Sequence, residues 1–261
     1  MNLLNPDDSY PAVQAPLITF VSASGGVGKS TIALVMAALT ARSGIDTALV
    51  EGDLQFGDYR LWLGLDSELP GMGDSADTTG VCIEDRLTLC LSPRLPEQSF
   101  ELEEKAAESV KQARRSHELV ICDTSSYWTG FTAELVTSSD IVCLVMDYRP
   151  ASISSAVRAN SLLNRLGVPD IRRVFIYNRW APRTSVTVNR VQETLNVPEV
   201  YVINEGKAVV NELMSCGAYG ELLESENSFI HGVNKVLVDV LPRVGHLYVP
   251  EPRGRRKRRA W

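Results

Sequence analysis

The sequence predicts a three-layer α/β fold, a mostly parallel sheet with helices on both faces. Short apolar runs rich in β-branched residues alternate with longer stretches of helical spacing, the pattern of βα units wound into a parallel sheet. Most of the strand runs are apolar throughout, as strands covered on both sides require. The first run also passes through a glycine-rich turn straight into an apolar helix.

Taken in chain order, strands are predicted at Leu17–Ser22, Thr47–Glu51, Leu87–Ser92, Leu119–Cys122, Ile141–Asp147, Val174–Tyr177 and Glu199–Ile203. Helices are predicted between or after them at Ser30–Arg42, Glu101–Arg115, Ser152–Leu166, Val186–Leu195, Ala208–Cys216 and Ser228–Leu241. Pro70–Gly80, which carries Gly71, Gly73, Asp74, Asp77 and Gly80, reads as a long loop. Pro250 and Pro252 stop any helix before the C-terminus, so Leu247–Trp261 reads as an extended appendage. The expected organisation is an N-terminal extension over 1–16, one α/β domain over 17–245 and a basic tail over 246–261.

Composition bounds the chemistry. Of 261 residues, 44% are hydrophobic and 22% charged, enough to build a core without disulfides or a structural metal. No apolar run reaches membrane-spanning length and Met1–Pro16 has no signal-peptide core, so a cytoplasmic protein is expected. The five cysteines (Cys82, Cys90, Cys122, Cys143 and Cys216) lack metal-type spacing and read as buried thiols in a reducing compartment. His117, His231 and His246 form no ligand cluster, which argues against a protein-built zinc site. Six of the 26 basic residues lie in Arg253–Arg259, leaving 20 against 32 acidic residues in the body before them. An acidic body with a basic tail argues against a broad nucleic-acid-binding face.

The sharpest signal is Ser24-Gly25-Gly26-Val27-Gly28-Lys29-Ser30-Thr31, placed between the first strand and the first helix. Glycines let successive backbone N–H groups turn inward around phosphate oxygens, and the helix that follows presents its positive end. Lys29 supplies a point charge for the β and γ phosphates, and the Ser30 hydroxyl can ligate Mg²⁺. Such a motif arises by chance in about one chain of this length in a thousand, so a P-loop outweighs a mere glycine-rich turn. Gly25, Gly26, Val27, Gly28, Lys29, Ser30 and Thr31 are therefore the expected phosphate-binding residues, with ATP or ADP and Mg²⁺ as ligands.

Magnesium chemistry also needs carboxylates at the ends of neighbouring strands. Leu119-Val120-Ile121-Cys122-Asp123 is an apolar strand closing on an acid, the Walker B form, in which Asp123 holds Mg²⁺ directly or through water. Ala48-Leu49-Val50-Glu51-Gly52-Asp53 is a second such strand, whose Asp53 can orient or deprotonate a water. The bland alternative for each is a helix-capping or loop aspartate. Leu54–Asp58 and Thr124–Gly130 are the expected switch segments.

The loop resembles the deviant Walker A box of the MinD/ParA family of ATPases, and the resemblance spans roughly residues 17 to 241. Glu51-Gly52-Asp53-Leu54-Gln55-Phe56-Gly57-Asp58 looks like the TadZ/CpaE pilus-assembly branch. The resemblance implies that Phe175-Ile176-Tyr177-Asn178-Arg179 brings Asn178 to the adenine edge, with Arg179 beside it. It also implies that Asn204–Ala208 and Cys216-Gly217 line the nucleotide pocket. Homodimers and pilus or secretion machinery are the implied partners. Two departures stand out. The family has a lysine before the paired glycines that reaches across an ATP-sandwiched dimer, and here Ser24 stands there, with Ala23 in place of a usual glycine. Losing that cation lowers the expected hydrolysis and ATP-driven dimerisation. About 16 residues precede the first strand, where the pilus branch carries a receiver-like domain, so that domain's targeting role does not carry over.

The basic tail ends in Trp261 and has three readings: a solvated appendage, docking on an anionic membrane face or acidic partner, or nucleic-acid contact. The resulting expectation is an attenuated Mg-ATPase acting as a localisation or assembly factor. A nucleotide-holding scaffold of the same fold is the alternative, and a DNA-partition ATPase or a tyrosine-kinase relative comes behind both.

Overall fold

In the computed structural model, residues 14–73 and 80–248 are described. The strands are β1 (Leu17–Val21), β2 (Thr47–Gly52), β3 (Val81–Glu84), β4 (Leu87–Cys90), β5 (Leu119–Thr124), β6 (Ile141–Asp147), β7 (Arg173–Trp180) and β8 (Tyr201–Asn204). They pair in one sheet in the order β3-β4-β2-β5-β1-β6-β7-β8, parallel throughout except for the β3–β4 edge hairpin. The helices are α1 (Lys29–Arg42), α2 (Tyr59–Trp62), α3 (Glu103–Ser116), α4 (Gly130–Ser138), α5 (Pro150–Arg165), α6 (Val188–Leu195), α7 (Lys207–Ser215), α8 (Tyr219–Glu224) and α9 (Ser228–Val240).

Alternation along the strands sorts the core into two faces. Ile18 and Phe20 of β1, with Leu49, Ile121 and Ile176, pack under α1, α7, α8 and α9. Leu17, Val50 and Val120 pack under α3 and α4, while Val21, Val142, Leu144 and Phe175 pack under α5 and α6. This is the three-layer arrangement expected from the sequence. α1 lies deepest. Ile32 through Ala38 are all buried, because the sheet covers one side of this helix and α8 and α9 the other, which is why it has no polar stripe.

Predicted boundaries shift by one to three residues where caps decide them. Pro150 opens α5 and the Thr187 hydroxyl accepts from the Arg190 amide to start α6, two residues inside the predicted start. Four elements escape the sequence pattern. α2 and α8 are too short for a helical period, and in α4 the weak helix formers Gly130, Thr132, Thr137 and Ser138 flank and interrupt the apolar residues. β3 is a four-residue edge strand just after the predicted loop 70–80, where no element was expected. Of the predicted loop 70–80, residues 74–79 lie outside the described set, as do residues 249–261, which hold the basic tail. Cys90, Cys122 and Cys143 are buried as expected, and burial pushes the Cys90 thiol up to about 11. Cys82 and Cys216 are exposed, which corrects the expectation that all five are buried: one lies on the edge strand and the other just past the end of α7.

Removing core volume from α1 tests the packing. Leu34→Ala is expected to destabilise the fold by about 3 kcal/mol in equilibrium denaturation, because Leu34 is fully buried. Val238→Ala, on the exposed side of α9, is expected to change stability by less than about 0.5 kcal/mol.

Candidate functional site

The chain leaves β1 at Ser22 and returns to regular structure at α1, whose N-cap is Gly28. Gly26 and Gly28 hold φ of 70° and 84°, the left-handed region that a Cβ disfavours. Gly28 has a second reason to be glycine, since a Cβ there would collide with the Asn178 amide. Lys29 is buried, 7% exposed; its Nζ pairs with Asp123 Oδ1 at the end of β5 and lies 3.4 Å from Ser30 Oγ. Thr124 Oγ1 donates to the Phe20 carbonyl at 2.9 Å, tying the ends of β5 and β1 together.

Sheet register sets the next layer. Glu51 pairs with Asp123 across β2–β5, so both carboxylates stand side by side on one face. Glu51, 1% exposed, accepts from the Tyr59 amide at 2.8 Å and from the Ser92 amide and hydroxyl at 2.9 and 2.8 Å. A Cβ at Gly57 would overlap the Glu51 carboxyl, so the chain from Asp53 to Tyr59 passes over this acid only because residue 57 is glycine. Burial raises the Glu51 carboxyl above its ordinary value, against the pull of the amides and hydroxyl bonded to it. The Tyr59 hydroxyl lies 3.0 Å from the Ser30 carbonyl and 3.2 Å from Asp123 Oδ2.

On the other side of the loop, β6 ends at Asp147, in register with Asn178 of β7. Asn178 Nδ2 donates to the Val27 carbonyl at 2.8 Å, and its Oδ1 is buried without a hydrogen-bond partner. Arg149 is held by Asp147 at 2.8 Å and donates to the Gly25 carbonyl at 2.9 Å; Trp128 Nε1 donates to the Ser22 carbonyl at 2.9 Å. Arg179 takes a φ of 56°.

These groups open on a cleft of about 390 Å³ lined by Ser24 through Thr31, Asp53, Asp58, Tyr59, Asp123, Arg179 and, from α7, Asn211, Met214 and Ser215. A larger groove of about 1180 Å³ lies at the opposite ends of β6 and β7. Ligands of open parallel sheets bind at the carboxyl ends of the strands, where the glycine loop is, so the smaller cleft is the functional candidate.

The structure therefore brings Lys29, Ser30, Thr31, Asp53, Asp123 and Arg179 to one cleft, with Asn178 against its loop. Asp53 is turned partly away: its Oδ1 accepts the Gln55 and Phe56 amides at 3.3 and 3.0 Å. Among the described residues of that region, Asn211, Met214 and Ser215 of α7 line the cleft. Among the described residues no group of three or more His, Cys, Asp or Glu can hold a metal by itself. A divalent ion here would draw on Ser30, Asp123 and ligand oxygens, the donor set that suits Mg²⁺. The Asp58 carboxyl is raised by burial and by Asp53 and Asp123, so the cleft has excess negative charge that a cation relieves. Sequence reasoning missed Tyr59, Arg149 and Trp128, which act through contacts distant in sequence. Glu51 carried a signal, an acid as the last residue of an apolar strand, yet it was read only as a neighbour of Asp53.

Sheet order, glycine loop and the Lys29–Asp123 pair define a P-loop NTPase fold of the ParA/MinD type. The model of the CobQ/CobB/MinD/ParA nucleotide-binding domain matches residues 18–215, and the chain belongs to that family. An uncharacterized ATP-binding protein of Methanocaldococcus jannaschii is 26% identical over 200 residues, 74% of this chain and 75% of that protein. Among solved structures, a ParA family ATPase from Chlorobium tepidum superposes with TM-score 0.78 at 20% identity, covering 86% of this chain and 99% of that one. The septum site-determining protein MinD of Pyrococcus horikoshii, complexed with Mg-ADP, gives 0.73 at 21% identity, covering 87% and 97%. A plasmid partition protein from Borrelia burgdorferi bound to AMPPNP gives 0.71 at 19% identity, covering 88% and 100%.

The raised Glu51 carboxyl has a pH consequence. Its folded-state value lies above the ordinary 4.5, so folding takes up a proton between the two. The stability it contributes is fully present below the ordinary value and is lost as pH rises through the raised one. Thermal unfolding followed from about pH 4 to 7 is expected to show that slope in the wild type and a shallower one in Glu51→Gln; equal slopes would place the dependence on another group.

Proposed function

We propose that the chain binds Mg-ATP and Mg-ADP in the cleft and turns ATP over slowly. The observation that carries this reading is the glycine loop ending in Lys29, paired with Asp123, in the cleft at the carboxyl ends of the strands. The resemblance to the MinD/ParA family is what assigns Asn178 to the adenine edge; its Oδ1 is an acceptor, which suits the exocyclic amine of adenine, whereas guanine presents a carbonyl there. In this reading Gly25, Gly26, Val27, Gly28, Lys29, Ser30 and Thr31 hold the phosphates, and Asn178 with Arg179 holds the base. Ser30 and Asp123 hold Mg²⁺, which neutralises charge on the phosphate oxygens.

Slow turnover is supported by two features. Ser24 brings no charge to the loop, and Asp53 spends one carboxylate oxygen on its own turn instead of on a water. Lys29, paired with Asp123 in this structure, must let go of it to face phosphate. Lys29 and Asp123, with Asp53 once released, are the catalytic groups of this reading.

At the level of biological role, the run Asp53–Asp58 supports a localisation or assembly factor of the TadZ/CpaE kind for a pilus or secretion machine. The nucleotide-binding unit would span 17–245, flanked by 1–16 and 246–261. Homodimerisation over the nucleotide and peripheral membrane contact through Arg253–Arg259 belong to the same proposal. No helix among the described residues is long and apolar enough to cross a membrane. A scaffold that holds nucleotide without hydrolysis is the second reading, favoured by Ser24.

Isothermal titration with ATP, ADP and GTP, with and without Mg²⁺, tests the core of the proposal. The wild type is expected to prefer ATP to GTP, Lys29→Ala to weaken ATP binding by about tenfold or more, and Asn178→Ala to erase the preference for adenine. A folded wild type that ignores all three nucleotides at millimolar concentration overturns it. Ser24→Lys is expected to raise ATP turnover by about tenfold or more; unchanged turnover would show that residue 24 does not limit the reaction.

A further inference from the structure

We infer that Tyr59 is a positioning residue for the metal carboxylate, the link through which the Asp53–Asp58 segment sets the orientation of Asp123. The inference rests on the nucleotide-binding reading above and deepens it by assigning a residue that no motif contains.

Tyr59 is 1% exposed, and its phenol sits where three parts of the site meet. The hydroxyl is within hydrogen-bonding distance of Asp123 Oδ2 and of the Ser30 carbonyl, so it touches the end of β5 and the first turn of α1 at once. Asp123 Oδ1 faces Lys29. The single phenolic proton is shared between the Ser30 carbonyl and Asp123 Oδ2; with Lys29 on Oδ1, this contact limits rotation of the carboxylate and leaves Oδ1 toward the loop. The ring itself is held by Trp62 at a centroid distance of 5.8 Å, edge to face.

The backbone of Tyr59 is fixed independently. Its amide donates to Glu51, which also binds both Ser92 donors, and Gly57 lets the chain pass against that acid. Arg60 then donates to the Ser92 carbonyl at 3.0 Å and to the Leu69 carbonyl at 3.2 Å. The phenol is therefore the end of a rigid arm anchored on β2 and β4, not a side chain on a free loop. Burial and the two neighbouring carboxylates push the hydroxyl well above its ordinary value, so it stays a donor. Carboxylates that hold metals depend on such outer hydrogen bonds, whose loss commonly weakens metal binding tenfold or more.

Tyr59→Phe removes the hydroxyl and keeps the ring against Trp62. The measurement is the ADP dissociation constant by titration, once in EDTA and once in millimolar Mg²⁺, on the full chain. The ratio of the two is the gain that the metal brings, and ADP keeps hydrolysis out of it. The expected result is that Tyr59→Phe lowers this gain about tenfold while the EDTA constant moves less than about twofold. A variant with the wild-type ratio overturns the inference and leaves nucleotide binding standing. A variant that loses affinity equally with and without Mg²⁺ overturns it too, because that is the mark of a packing role alone. If the wild type binds ADP under neither condition, the nucleotide-binding reading falls, and the positioning role falls with it.

Discussion

The buried pair between Lys29 and Asp123 is the contact around which the site is organised. Two charges that are 7% and 2% exposed would be costly to desolvate separately, and each is tolerable only because the other is there. The pair fastens the start of α1 to the end of β5, elements 94 residues apart in sequence. Every other group in the cleft is placed with respect to that junction. Tyr59 reaches both sides of it, Thr124 locks β5 to β1 just beyond it, and Asn178 rests on the loop that leads into it.

A second buried acid does for the neighbouring strands what Lys29 does for the loop. Glu51 gathers three donors from α2 and from Ser92 just past β4, so the segment after β2 is held by these hydrogen bonds together with the buried Leu54 and Tyr59. That explains why a run as polar as Asp53-Leu54-Gln55-Phe56-Gly57-Asp58 is ordered, and why its glycine is needed. Phe56, 73% exposed, contributes nothing to that anchoring and stands at the mouth of the cleft.

The structural likenesses reach nearly the whole of ATPases that share about a fifth of their residues with this chain. What these proteins share is the demand that apolar parallel strands be covered on both faces, which many sequences satisfy. The chemistry lies in the few residues at the strand ends, where this chain places an uncharged Ser24, an Arg149 tethered by Asp147 and a tyrosine in contact with Asp123.

The sequence by itself determined the layers, the glycine loop and the two acid-ended strands, because apolar periodicity, glycine conformation and strand-end polarity are local properties. Ser24–Thr31, Asp123 and Asn178 were all legible in that way or from the resemblance they carry. Asp53 capping the Gln55 and Phe56 amides is a local turn, whereas tertiary structure alone decided that Glu51 is an anchor and that Tyr59 and Arg149 reach the site. Each of those outcomes depends on which strands lie side by side and in what register, and that information arises only when residues far apart in the chain compete for the same few buried hydrogen bonds.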